Sequence, residues 1–277
     1  MAEKTNIKKC KQLVSNLKKK VYFKSALAAY NKKYSQIVQK LVADGEQQES
    51  ANKKAYRLVL SQLHDIMREA QPLIEDVINI RIENGEISDA SQARKSVAGN
   101  LFQQFVAYTL AQNILVQNIN KDVIVSLSSN VLDEYAVIDV GEDKQKPDSD
   151  VLIYSESNNT PIINFSCKTS CRERAGQTYK WKLLSDLACC NCEHKHNNEN
   201  CPVTKYSLHY EPKRKIFMYF ITADFYYELS NPQIVAMFNF FDNSYVAKPH
   251  SSSEKIKTLE YIIDDINTIY KFNCSRH

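Results

Sequence analysis

The sequence predicts an α/β protein: a mixed β-sheet flanked by helices, with a helical N-terminal region. Three observations predict it. Apolar residues recur at helical spacing through the first 85 positions; two short apolar runs face each other across a turn-rich hexamer in mid-chain; and a strand-length apolar run at 216–221 precedes a final helical stripe.

The first stretch is read as helices because apolar positions repeat at three and four in Val21–Tyr30, and again at Tyr56, Leu58, Leu60, Leu63 and Ile66, with Gly45 and Gly85 as natural stops. Its lysines, at Lys8, Lys9 and Lys11 and again at Lys18, Lys19 and Lys20, are a solvated helix face, phosphate contacts or part of a dimer surface. Ser88 to Gln117 reads as one long amphipathic helix, burying Val97, Leu101, Phe102, Phe105, Tyr108, Leu110 and Ile114. Strands are expected at Val123–Leu127 and Tyr135–Asp139. Asp150–Tyr154 and Ile162–Ser166 then form a hairpin around Ser155–Thr160. A helix through Thr178 to Leu187 follows, then a Cys/His-rich insertion at 189–201, a basic loop at Lys213, Arg214 and Lys215, and the strand Ile216–Ile221, buried on both faces. Ser251 with Glu254 reads as a capping box that opens a last helix carrying Ile256, Leu259, Ile262, Ile263 and Ile266. The organisation expected is a helical region at 1–87 and a second domain at 88–277.

With 277 residues, 43% of them hydrophobic, the chain has enough material for one large domain or a core plus an accessory segment. No run approaches the roughly 20 apolar residues that span a bilayer, and the opening Met1–Gln12 has no apolar stretch suited to a signal peptide. The expectation is a cytoplasmic protein with no membrane partner. A net charge of +4 permits a polyanionic partner without requiring one. Half of the 8 cysteines crowd into 189–201, which is no disulfide framework. Of these, Cys189, Cys192 and Cys201 together with His196 are a candidate structural zinc set; the alternative is a polar loop whose cysteines pack on the preceding helix. His64, at a helical position, reads as a structural or surface histidine.

The chemistry concentrates in the hairpin. Asp148 and Asp150 sit where a polar loop becomes an apolar strand, and Lys168 ends the partner strand. Taking the turn centre near Asn158 puts Asp150 opposite Ser166, and Lys168, two residues on, shares the face of Ser166 because strand side chains repeat every second residue. A carboxylate and an ammonium therefore converge. Carboxylate oxygens suit a hard cation such as Mg²⁺, and a nearby lysine can orient the water that attacks a phosphodiester. The same letters also describe an ordinary cross-strand ion pair.

Pro147-Asp148-Ser149-Asp150, followed by Ser166-Cys167-Lys168 and, four residues past the lysine, Arg172-Glu173-Arg174, resembles the PD-(D/E)XK nucleases. More narrowly it resembles the Type II restriction endonucleases that recognise CCGG or CCNGG cores, the BsaWI-like group. The resemblance implies a restriction-endonuclease-like fold, a homodimer on double-stranded DNA and Mg²⁺-dependent cleavage at a CCGG-like core. It implies Asp150 or Asp148 as metal ligand, Lys168 as the residue positioning water, and Arg172, Glu173 and Arg174 as readers of C·G pairs. Two parallel donors of arginine match guanine O6 and N7, and a glutamate accepts from cytosine N4, which makes the triplet chemically apt. Gln177, Lys180 and Lys182 would extend the contacts to phosphates or flanking bases.

The chain departs from the pattern at Ser166, which stands where the second acid is expected. Replacements are Asp186, the nearest later carboxylate, and Gln103 on the preceding helix, whose carbonyl could hold a metal-bound water. Two rival functions follow: a repair or junction nuclease without sequence readout, and a catalytically inactive, zinc-stabilised DNA-binding module.

Overall fold

A computed structural model of the chain describes residues 2–157, 159–171, 174–189, 201–251 and 253–274. The N-terminal helices are α1 (Ala2–Lys18), α2 (Val21–Ala43), α3 (Gln48–Leu58) and α4 (Leu63–Glu83). Gly45 and Gly85 follow the ends of α2 and α4 at φ +97° and +72°, the left-handed region that favours glycine. The long helix α5 (Ala90–Leu115) begins at Asp89, whose carboxylate accepts the Gln92 N–H at 2.9 Å and satisfies one of the free donors of the first turn.

The main sheet has the strand order β1 (Ile124–Ser126), β4 (Val151–Tyr154), β5 (Ile162–Lys168), β7 (Ile216–Thr222), β8 (Asn243–Val246), β9 (Lys257–Thr258). Pairing is antiparallel from β1 through β5 and parallel from β5 through β9, so the expected mixed sheet flanked by helices is found. A smaller antiparallel sheet joins β2 (Ile138–Val140) to β3 (Asp143–Gln145) and β6 (Leu208–His209).

Strand alternation sends Val151, Ile153, Ile163, Phe165 and Cys167 to one face, where they join a single core with residues of α1, α2, α4, α5 and the last helix, α10 (Ile262–Cys274). Phe105 lies fully buried in that core, its ring 4.8 Å from Phe23 and 5.6 Å from Tyr30. Truncating such a ring to alanine costs about 3–5 kcal/mol. The other face packs Phe220, Val246 and Ile256 against Ile234 of α9 (Pro232–Met237), with Tyr179 of α7 (Arg174–Ala188) alongside. The short helix α8 (Pro202–Lys205) belongs to a satellite cluster with Ala188 and Leu208.

Two local expectations are corrected. Tyr135 ends a short helix, α6 (Asn130–Tyr135), and the strand starts only at Ile138, because Leu132 and Tyr135 pack over Leu152 and Ile162. Ser251 and Glu254 do not open the last helix: Lys257 and Thr258 pair with Tyr245 and Val246, and the helix starts at Ile262. Sheet pairing outbid the local cap. The basic loop turns one side chain inward, Arg214, which is buried.

Candidate active site

The hairpin register is the predicted one. Val151 pairs with Phe165, and the Asp150 N–H donates to the Phe165 carbonyl at 3.0 Å, which puts Asp150 opposite Ser166. Lys168 Nζ then reaches Asp150 Oδ2 at 2.7 Å, and the Cys167 N–H donates to the same oxygen at 2.8 Å. With side-chain exposures of 13% for Lys168 and 21% for Asp150, the pair is mostly withdrawn from water yet open on one side. No described hydrogen bond occupies Asp150 Oδ1. Charge-assisted bonds in such a setting are stronger and better defined than surface ion pairs.

The lysine is held from behind by the chain after β7. Lys168 and Thr169 carbonyls accept the Ala223 and Phe225 N–H groups at 3.0 Å each, extending the parallel ladder past the strand end. One step further, the Cys171 N–H donates to Glu228, and its thiol contacts Thr222 Oγ1 at 3.2 Å. Asp224, 3% exposed, accepts the Glu228 N–H at 2.7 Å and the Lys248 ammonium at 2.7 Å. Buried charges are tolerated when paired and hydrogen-bonded in this way. From α4, His64 Nδ1 donates to the Ala223 carbonyl at 2.6 Å, the acceptor fixing which nitrogen carries the proton. Asp224 and Tyr227 both have left-handed backbones, φ 48° and 55°, and the surrounding bonds hold this strained turn in place. No sequence reading singled out Asp224, Glu228 or Lys248; an acid directly after the apolar strand β7 was the available signal.

Burial pushes the Cys167 thiol well up and the Cys171 thiol up to about 12, so neither supplies a thiolate near neutrality. His64 is shifted down, first by burial and then against the pull of its Ala223 hydrogen bond, and stays neutral.

The other candidates are placed as follows. The Asp148 side chain is exposed, while its carbonyl accepts from Asn164 at 3.1 Å. Ser166 is buried, its hydroxyl 3.1 Å from Thr178 Oγ1 on α7. Asp186 lies eight residues past Thr178 on that helix, about 12 Å along it at 1.5 Å per residue. There it is bonded to Lys182 at 2.6 Å, and Lys182 also faces Asp242 at 3.7 Å. Gln103 donates to Asn100 on its own helix at 3.1 Å, and no described hydrogen bond joins it to the Asp150–Lys168 pair. Thus the structure brings Asp150, Ser166 and Lys168 together and leaves Asp186 and Gln103 engaged elsewhere. Lys180 is exposed. Arg172 and Glu173 lie outside the described residues, as do the side chains of Arg174 and Gln177. Cys189 is exposed and Cys201 buried, whereas Cys192 and His196 lie outside the described residues. Among the described residues no group of three His, Cys, Asp or Glu side chains could hold a metal, and no helix is long and apolar enough to cross a membrane.

Comparison with known proteins gives a family. The family model described as BsaWI restriction endonuclease type 2 matches residues 117–265, more than half of the chain and all of the hairpin and α7. No curated protein matches. Among solved structures, the chain is similar to one titled "Crystal structure of pre-specific restriction endonuclease BsaWI-DNA complex", at 14% identity over 93% of this chain and 95% of that one, with a TM-score of 0.38. It is also similar to "Restriction endonuclease PspGI-substrate DNA complex", at 15% identity over 88% of this chain and 93% of that one, with a TM-score of 0.41. Of the three functions the sequence left open, the family match is to the first. The chain belongs to the BsaWI family of type II restriction endonucleases, enzymes that cut DNA at specific sites.

Proposed function

We propose that the chain cuts each strand of double-stranded DNA at a site with a CCGG-like core, acting as a homodimer with Mg²⁺, and that Asp150 and Lys168 are the centre of the reaction. The observation that carries this is the 2.7 Å contact between two half-buried charges at the end of a strand, backed by a fixed turn and open on one side. Mg²⁺ keeps several waters and binds through one or two carboxylates plus substrate phosphate, so a single aspartate with one unoccupied oxygen fits it. When bound, the cation neutralises charge on the phosphate and acidifies a bound water.

The chain's own residues would do the rest. Asp150 holds its Oδ2 toward the Cys167 amide and Lys168, which leaves Oδ1 for a cation. Lys168 carries three N–H donors and spends one on Asp150, so the others can orient the attacking water or hold a phosphate oxygen. As the water oxygen bonds to phosphorus it gives up a proton to solvent, the ester P–O bond breaks, and the departing oxygen takes up a proton from solvent, so that water is added across the bond. Ser166, tied to Thr178, anchors α7 to β5 beside the site. Arg172, Glu173 and Arg174 are proposed to read the C·G pairs, and a two-fold dimer would match a palindromic site.

The test is digestion of a methylation-free plasmid with and without Mg²⁺, followed by end mapping. Discrete fragments ending at one CCGG-like core are expected only with Mg²⁺, and Arg172→Ala should relax that sequence preference. A smear, or a single recognised site unrelated to CCGG, would refute the specificity; cutting without any divalent cation would refute the metal.

A further inference from the structure

A groove of about 610 Å³ opens beside Lys168. One wall is Lys168, Thr169 and Ser170 as the chain leaves β5, and Tyr226 stands 73% exposed at the rim. The opposite wall is α4 and the start of α5, which present Arg68, Lys95 and Gly99.

Two independent features mark this groove. The first is charge. Lys168, Arg68, Arg94 and Lys95 line it with one acid, Glu75; Glu75 is paired with Arg94 at 2.8 Å and Lys168 with Asp150 at 2.7 Å, which leaves the charge of Arg68 and Lys95. Arg68 and Lys95 are exposed, and among the described residues neither has an ion pair. The second is Gly99. A glycine inside a helix is less favourable than alanine, and here it has no left-handed backbone to justify it. A Cβ built at Gly99 meets nothing within 4 Å, so no atom of the protein demands its absence either. The surface of α5 at Gly99 is therefore open to close approach by a group from outside the protein.

We propose that the groove is a DNA-contact surface that seats the sugar-phosphate backbone running on from the cut, with Arg68 and Lys95 on phosphates and Gly99 giving the strand room against α5. This rests on the reading of Asp150 and Lys168 as the cutting centre. A strand carries one phosphate about every 3.4 Å, so a surface adjoining that centre meets neighbouring phosphates of the same strand. A row of negative charge spaced in this way fits Lys95 and Arg68, the latter 5.9 Å from the Tyr227 ring centroid and, like Lys95, without an ion pair among the described residues.

Binding of the full chain to a duplex carrying its mapped site, measured without Mg²⁺ across about 50–200 mM salt, tests this. Each phosphate contact contributes about 0.9 to the slope of log K against log salt, so Arg68→Gln and Lys95→Gln should each flatten it by about that amount. Lys40→Gln, on an exposed position of α2 outside the groove, should leave it unchanged. Gly99→Leu should melt no lower than the wild type yet bind at least about tenfold more weakly. Unchanged slopes in both cation variants, or wild-type affinity in Gly99→Leu, would overturn the groove and leave the cutting centre standing. A wild-type protein that neither binds nor cuts DNA would overturn both.

Discussion

Arg214 offers the sharpest stability prediction, because the sequence shows only a basic loop while the structure shows a clamp. Its guanidinium donates to the Thr160 carbonyl at 2.7 Å, to Thr160 Oγ1 at 3.0 Å and to the Ser155 carbonyl at 3.2 Å, and it lies 5.2 Å from the Tyr135 ring centroid. These acceptors belong to the turn joining β4 to β5, whose register sets Asp150 against Ser166. Arg214→Ala leaves carbonyls inside the turn without donors. Hydrogen bonds to a charged group are worth about 1.5–3 kcal/mol each, but the guanidinium also regains its hydration on unfolding, so a net loss of about 3–5 kcal/mol is expected. At roughly 2–4 °C per kcal/mol for a chain near this size, the thermal midpoint should fall by about 10 °C. Arg214→Lys should restore only part of this, since an ammonium cannot reproduce a planar fork of donors. Urea unfolding gives the energies directly. A loss below about 1 kcal/mol for Arg214→Ala, or full recovery by lysine, would refute the clamp.

Other consequences follow from the same network. The His64 imidazole is held below its ordinary value of 6.5, so between the two values the unfolded chain binds the extra proton. Stability is therefore complete above about pH 6.5 and declines as pH falls toward the folded-state value. Urea midpoints from pH 7.5 to 5 should show that decline, and His64→Gln should flatten it; a profile identical in the two proteins would contradict the assignment. Asp186→Asn removes a carboxylate spent on Lys182 at the surface of α7 and should leave cleavage within about threefold of wild type, whereas a loss of a hundredfold or more would return Asp186 to the metal site. Lys248→Met leaves the Asp224 carboxylate buried and unpaired, which should cost about 3–5 kcal/mol by urea unfolding; a cost below about 1 kcal/mol would show that the strained turn holds without it.

How much of this was legible in the sequence varied with the range of the forces involved. The hairpin register came out correctly because a turn centred at position 158 fixes one pairing, Asp150 with Ser166, and the two-residue side-chain period then places Lys168 on the face of Ser166. The long helix α5 was legible from its own apolar positions, which run from Val97 to Ile114, about five turns. By contrast, Asn243–Val246 is a strand only because β7 offers an edge to pair with, and Lys257–Thr258 only because Asn243–Val246 offers the next one; nothing local in those residues says so. The false cap at Ser251 is the mirror case, a sound local signal overruled by distant pairing. At the site, the Asp150–Lys168 pair was readable from alternation, while the groove was not. Arg68 and Lys95 are separated from Lys168 by 100 and 73 positions respectively, and only packing of α4 and α5 on the sheet brings them to it.

The central claim is that Asp150 and Lys168 perform the cut, and the most direct measurement is single-turnover cleavage of a duplex carrying the mapped site, with binding followed in parallel. Lys168→Ala and Asp150→Ala should each slow cleavage by about 10²–10⁴-fold while still binding the duplex within a few-fold of wild type. Cleavage by Lys168→Ala at a rate within about threefold of wild type would contradict the account and move the reaction away from this hairpin.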